Sequence, residues 1–160
     1  MMNKKCVQGI LILTVVLVGR LASAASLDDV QTAIIEEDYP RAGDLAREFL
    51  ANNPPADQVA EAKYLLGLSV LYQGQYDQAR RIFDNLVGHC RNARLEDRVA
   101  IGRIDSFLLE GKYETALQEA EKILKKSPSS EYQSLIYLKL ARASFKLADW
   151  AGAKSYLQKI

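Results

Sequence analysis

Gly74-Gln75-Tyr76-Asp77-Gln78-Ala79, with Phe83 four residues further on, has the form of a helix stop followed by a new helix, and it returns 37 residues later as Gly111-Lys112-Tyr113-Glu114-Thr115-Ala116. The same 37-residue step, carried in both directions, finds aromatics at Tyr39, Tyr76, Tyr113 and Trp150. Three residues after each comes alanine (Ala42, Ala79, Ala116, Ala153), and ten after each a large apolar residue (Phe49, Leu86, Ile123, Ile160). Pro54 and Pro128 stand fifteen residues after the first and third aromatics. That much coincidence at one period marks an internal repeat. Four units are expected, about 26–55, 56–91, 92–128 and 129–160.

Between the repeated marks the chain reads as pairs of helices. Ala60 to Tyr72 is apolar on more than one face, and Gly74 stops it. Ala79, Ile82, Phe83, Leu86 and Val87 then recur at steps of three and four, the mark of an amphipathic helix. The third unit repeats this on either side of Gly111, and the fourth runs as Leu135 to Leu147 and Trp150 to Ile160. The first pair is shorter, Leu27 to Glu36 and Pro40 to Ala51, with Pro40 suited to a first helical turn. Asn52-Asn53-Pro54-Pro55 and Ser127-Pro128-Ser129-Ser130 break the units apart. No stretch alternates with period two for long, so no sheet is expected. The spacing accounts for the residue types: alanine fits where two helices cross closely, and the aromatic three residues earlier fills the gap beside the crossing. One pair cannot bury both its apolar faces, so neighbours stack into a continuous core.

These residues resemble a known pattern. Leu66-Gly67, Gly74-x-Tyr76-x-x-Ala79 and Phe83, and again Gly111-x-Tyr113-x-x-Ala116 with Pro128, are similar to the signature of the tetratricopeptide repeat (TPR) family. The likeness covers about residues 26–160; Glu37 and Ala148 stand where the first and fourth units should carry glycine. The fold it implies is an all-α, α-α superhelical solenoid of about four TPR-like helix hairpins. The longer period resembles the repeat modules of bacterial envelope proteins, Tol–Pal coordinator-like or barrel-assembly-lipoprotein-like.

The N-terminus supports that setting. Lys4 and Lys5 precede an apolar run from Ile10 to Val18, and Ala22-Ser23-Ala24 puts small residues at a cleavage position. Residues 1–24 read as a secretory signal peptide, leaving a repeat domain at 25–160. The apolar run is shorter than the roughly 20 residues a membrane-spanning helix needs. An uncleaved segment tethering the chain to a membrane is the alternative to periplasmic export. Cys6 lies before the apolar run, not after it, so a lipid-modified cysteine is not expected, which favours likeness to the soluble coordinator. Cleavage leaves Cys90 alone, and one cysteine closes no disulfide within the chain.

Composition narrows the function. The chain carries a net charge of +1, and without Lys4, Lys5 and Arg20 the remainder carries −2, so the basic stripe that nucleic-acid binding requires is lacking. His89 and Cys90 are too few to ligate a metal, and no cofactor is expected. His89 is the only histidine, no motif surrounds it, and the glycines are turn residues, not a nucleotide loop; the chain reads as no enzyme, with no small-molecule substrate. The resemblance implies instead a concave groove, lined by the first helix of each pair, that holds a protein or peptide partner. Carried onto this sequence it names Tyr64, Leu68, Leu71 and Tyr72, then Arg98, Ile101, Asp105 and Leu108, then Leu138, Arg142 and Phe145, with Arg98 and Arg142 available to a carboxylate. The chaperone-gripping clamp of some family members needs Lys and Asn where this chain has Tyr64, Leu68, Ile101 and Asp105, so that ligand is not expected. The expected role is an envelope scaffold. The alternative is an oligomerisation module, or the front of a longer protein, because Leu157 and Ile160 would leave an apolar C-terminal edge open to self-association.

Overall fold

The computed structural model describes residues 25–90, 92–126 and 131–160. Among them are eight α-helices and no strand: α1 (Leu27–Ile35), α2 (Tyr39–Ala51), α3 (Ala56–Tyr72), α4 (Tyr76–Asp84), α5 (Ala93–Glu110), α6 (Tyr113–Lys126), α7 (Gln133–Lys146) and α8 (Trp150–Leu157). Each helix packs on the next along the chain. The first helices of successive pairs also touch, α1 on α3, α3 on α5 and α5 on α7, whereas the backbones of α2, α4, α6 and α8 stay apart, α8 reaching α6 through the Tyr156 hydroxyl, which donates to Glu121 at 3.1 Å. A stack whose first helices meet while its second helices splay must curve, with α1, α3, α5 and α7 on the inner side. The architecture is the all-α solenoid of helix hairpins. The expected signal peptide at 1–24 and the break at 127–130 lie outside the described residues.

The turn inside each unit is built the same way four times. An amide two or three residues past the first helix reaches back to a carbonyl five residues earlier: Asp38 to Ala33, Gln75 to Val70, Lys112 to Phe107 and Asp149 to Ser144, at 2.9–3.1 Å. This helix stop needs a left-handed residue just before it. Gly74 (φ 79°) and Gly111 (φ 86°) supply that conformation without a Cβ, but Glu37 (φ 58°) and Ala148 (φ 60°) are forced into it. The two strained units carry a compensation at the next position: Asp38 accepts the Arg41 amide and Asp149 the Gly152 amide, each capping the second helix. Such a cap contributes about 1 kcal/mol against a left-handed cost of about 1–2 kcal/mol. Ala148→Gly should therefore raise the stability by about 1 kcal/mol, read as a higher denaturation midpoint. A lower midpoint would show that the glycine gains more freedom in the unfolded chain than the turn releases.

Where four helices meet at the centre, the repeat explains the packing. Phe83 is fully buried between two glycines of neighbouring first helices: a Cβ on Gly67 of α3 would lie 2.5 Å from its ring, and one on Gly102 of α5 would lie 2.8 Å from it. The backbones of α3 and α5 thus form the walls of one aromatic slot. The alanines of the repeat, Ala42, Ala79, Ala116 and Ala153, are all buried, as their place at helix crossings requires. One apolar cluster joins α1–α4 to Leu95 and Val99 of α5, and a second joins α5 and α6 to Ile136, Leu140 and Ala143 of α7. Each core is closed by the first helix of the following unit.

Three element ends differ from the pattern in the sequence. The fourth helix stops at Asp84 instead of running through Val87, because Gly88 turns left-handed and residues 85–89 form consecutive turns; Leu86 stays buried while Val87 points out. The third begins at Ala56, directly after Pro55, four residues ahead of Ala60. The eighth ends at Leu157, which leaves Ile160 in a turn outside the helix.

Candidate functional site

The inner face of α3, α5 and α7 holds the residues marked as a groove, and they divide by what they touch. Leu71 is 0% exposed, Leu108 3% and Ile101 7%; these three belong to the core and no partner can reach them. Their assignment to the groove is corrected, and the reason is phase: they lie on the side of the helix that meets the next unit, about a quarter-turn from the open face. Tyr64 is also buried, its ring set against Phe83 with centroids 6.1 Å apart. Burial pushes its hydroxyl above the ordinary tyrosine range, against the pull of the Arg98 charge, so it stays neutral at physiological pH.

Arg98 is not available to an incoming carboxylate. Its guanidinium lies 4.3 Å above the Tyr64 ring centroid and one of its nitrogens meets both Glu61 oxygens, at 2.9 and 3.0 Å. Burial works against the charge, but Tyr64 and Glu61 outweigh it and hold the Arg98 pKa above its usual value. Asp105 is taken as well, by Lys139 of α7 at 2.6 Å. These are ties between neighbouring first helices. Glu61 and Arg98 stand one full 37-residue repeat apart, and so do Arg94 and Glu131, which pair at 2.8 Å. Side-by-side stacking puts equivalent positions opposite each other, so charges of opposite sign at that spacing were a legible signal for Glu61 and Glu131. Lys139 stands 34 residues after Asp105, three short of the 37-residue step, and that offset depends on the tilt between helices.

What stays open on this face is Tyr72, 45% exposed, Leu138, 48% exposed, the exposed Arg142, and the half-buried Leu68. Leu109, one repeat after Tyr72, is exposed too, and sequence reasoning missed it. Tyr72 is held in place by stacking on Tyr39 at 4.8 Å between centroids, and burial, with Asp105 and Tyr39 adding, raises its pKa. An aromatic and aliphatic strip with a guanidinium beside it suits peptide side chains and backbone carbonyls. Phe145 is exposed but belongs elsewhere: it sits edge-on to Trp150 of α8, 4.9 Å between centroids, at the end of the stack.

Chemistry finds little to work with. Cys90 is half-buried with its thiol donating to the Leu86 carbonyl at 3.3 Å, and burial, with Glu96 and Glu61 adding, pushes its pKa up, away from a reactive thiolate. His89 lies exposed in the turn after α4, its Nδ1 3.1 Å from the Val87 carbonyl oxygen. Among the described residues no group of three or more His, Cys, Asp or Glu side chains could hold a metal ion, and no helix is long and apolar enough to cross a membrane.

From residue 13 to residue 149 the sequence matches the family YfiO, described as outer membrane lipoprotein. The chain belongs to the YfiO family. The matched span takes in α1 to α7 and ends at the residue that caps α8. Comparison with individually curated proteins gives no match. Of the two kinds of envelope module the repeat resembles, the family match falls on the outer-membrane lipoprotein, not on the soluble coordinator that the position of Cys6 favoured. Cys6 itself lies outside the described residues.

Proposed function

We propose that this YfiO-family chain is a non-catalytic scaffold of the bacterial envelope, exported to the periplasm, which holds an extended or helical segment of another envelope protein on the inner face of its first helices. Membership of an outer membrane lipoprotein family supports the compartment. The observation that carries the binding role is the uncovered strip of Leu68, Tyr72, Leu109 and Leu138 beside Arg142, on a face whose other charges, Arg98 and Asp105, are already paired within the protein. The binding positions are therefore Leu68, Tyr72, Leu138 and Arg142, with Tyr64, Arg98 and Asp105 holding α3, α5 and α7 in register beneath them. A bound segment would be recognised by apolar side chains seated along the strip and a carboxylate or carbonyl at Arg142.

The test is quantitative recovery of partners from an envelope extract by the parent protein and by a Tyr72→Ala, Arg142→Ala double variant. Both side chains are exposed, so the variant should fold, which circular dichroism checks. Loss of two central contacts should reduce recovery of the specific partners at least about tenfold, which is 1.4 kcal/mol. Equal recovery of every partner would remove the inner face from consideration. A second reading, an oligomerisation module or the N-terminal part of a longer envelope protein, is supported by a separate observation, the apolar surface that Phe145, Trp150 and Leu157 leave open on α7 and α8.

A further inference from the structure

The second helices splay on the outer side of the stack, and what spans the gap between them changes from one junction to the next. Between the second and third units it is Arg103 of α5, whose guanidinium reaches Asp84 of α4 at 2.8 Å and Glu119 of α6 at 3.5 Å. One 37-residue step later the same three positions hold Leu140, Glu121 and Tyr156. The first acid is kept, the second becomes a tyrosine, and the chain's own cation gives way to a wholly buried leucine. A cavity of about 370 Å³ opens there, walled by α6, α7 and α8. Its opening belongs to the junction. Tyr156 is half-buried, as are Glu119, Ile82 and Leu45 at the same repeat position, and Lys159 is exposed, as are Lys122, Asn85 and Glu48. A following unit covers neither position.

The groups around the cavity divide by sign. One set is two π faces and an acid. The Tyr137 and Tyr156 rings lie 25° from parallel with centroids 6.4 Å apart, and the Tyr156 hydroxyl donates to Glu121 at 3.1 Å. Burial, with Glu121 adding, raises the Tyr156 pKa, so the hydroxyl keeps its proton and the carboxylate carries the negative charge. Ring faces beside a carboxylate attract an organic cation. The structure shows that geometry in use, with the Lys159 ammonium 5.3 Å from the Tyr137 centroid and 5.6 Å from that of Tyr156. The other set is Lys125 and Lys159, neither of which forms an ion pair among the described residues. A bare cation would have to displace one lysine and lie near another. A bare anion would meet Glu121 and the negative ring faces.

We propose that this cavity binds a zwitterionic phosphodiester of the phosphoethanolamine class. The ammonium lies on Tyr137, Tyr156 and Glu121, where Lys159 now rests, and the phosphate lies on Lys125 and Lys159. Such a group carries both charges on one short arm, so Lys159 exchanges its ring contacts for an ion pair with the phosphate when the ligand's ammonium takes its place. The change from Arg103 to Leu140 is why the cation has to come from outside the chain. The cavity has the size of a small-ligand site. The same chemistry occurs on a lipid head group and on a soluble diester, and membership of an outer membrane lipoprotein family supports the lipid as source.

The experiment follows the Tyr137 and Tyr156 ring resonances of the purified protein by NMR as glycerophosphoethanolamine, ethanolamine or inorganic phosphate is added. The diester should bind at least about tenfold more tightly than either part, because both its ends are held at once. Glu121→Gln should weaken the diester and ethanolamine at least about tenfold and spare phosphate. Lys125→Gln should weaken the diester and phosphate and spare ethanolamine. Lys159→Gln should weaken the diester yet tighten ethanolamine, since the competing ammonium is gone. All three side chains are exposed, and circular dichroism checks each fold. Vesicles separate the sources. Sedimentation with phosphatidylethanolamine–phosphatidylglycerol vesicles above that with phosphatidylglycerol alone, lost in Glu121→Gln, assigns the site to a membrane lipid; capture of the soluble diester without that difference assigns it to a free compound. Ring resonances that ignore the diester at tens of millimolar, variants that act alike on both parts, or tighter binding of a lysyl-glutamate dipeptide overturns the proposal. The partner-recovery test of the inner face is independent, since none of these residues lies on that strip.

Discussion

Phe83→Ala should lower the unfolding free energy by about 3–5 kcal/mol, the upper part of the range for a single core truncation. The ring is wholly buried, and the two helices that flank it present glycine, Gly67 on one side and Gly102 on the other. A cavity left by a ring is usually narrowed by neighbouring side chains that swing inward. Here the nearest walls are backbone, which cannot change rotamer, and Tyr64 on a third side is fixed by the Arg98 guanidinium over its ring. Transfer loss and cavity cost therefore add with little relief. Chemical denaturation of the two proteins measures the difference. A loss below about 2 kcal/mol would mean that α3 and α5 close over the gap, and the slot would then be no constraint on their separation.

Leu71→Ala should cost about 2–5 kcal/mol, whereas truncating the equivalent residue of the last unit, Phe145→Ala, should cost only about 0.5–1.5 kcal/mol, the worth of its edge-on contact with Trp150. The two positions are the same in the repeat and differ in what lies over them. Leu71 lies within a buried cluster that takes in Leu95 and Val99 of α5, while over Phe145 the described chain places no further helix. The comparison, made by thermal or denaturant unfolding at low protein concentration, also separates core from groove. Leu71→Ala should impair partner binding only as far as it unfolds the protein. A Phe145→Ala loss as large as that of Leu71→Ala would show the end surface covered even in the isolated molecule.

The groove shows how far periodic reading reaches. A helix face is recognised from steps of three and four, but adjacent residues such as Leu71 and Tyr72 differ by 100° of rotation, and one is core while the other is open. Both were named for the groove, and only the packing of neighbouring helices separates them. Arg98 is a similar case. A lone arginine on a first helix reads as a ligand for a partner; its commitment to Glu61 and Tyr64 depends on α3 lying alongside at the distance of one side chain.

By itself the sequence determined the helical pairs, the four-unit count, the turn positions and the small residue at each crossing. These follow from local chain geometry: a 37-residue step that places aromatic, alanine and stop residues in phase fixes which stretches are helical and where the chain must reverse. Only the tertiary structure decided which side of each first helix faces a neighbour and which faces water, which charges are consumed between units, and that Glu37 and Ala148 bear the left-handed turn that glycine bears elsewhere. Those depend on the tilt and separation of stacked helices, set by the combined volume of side chains brought together from distant parts of the chain, and no single stretch of sequence contains that sum.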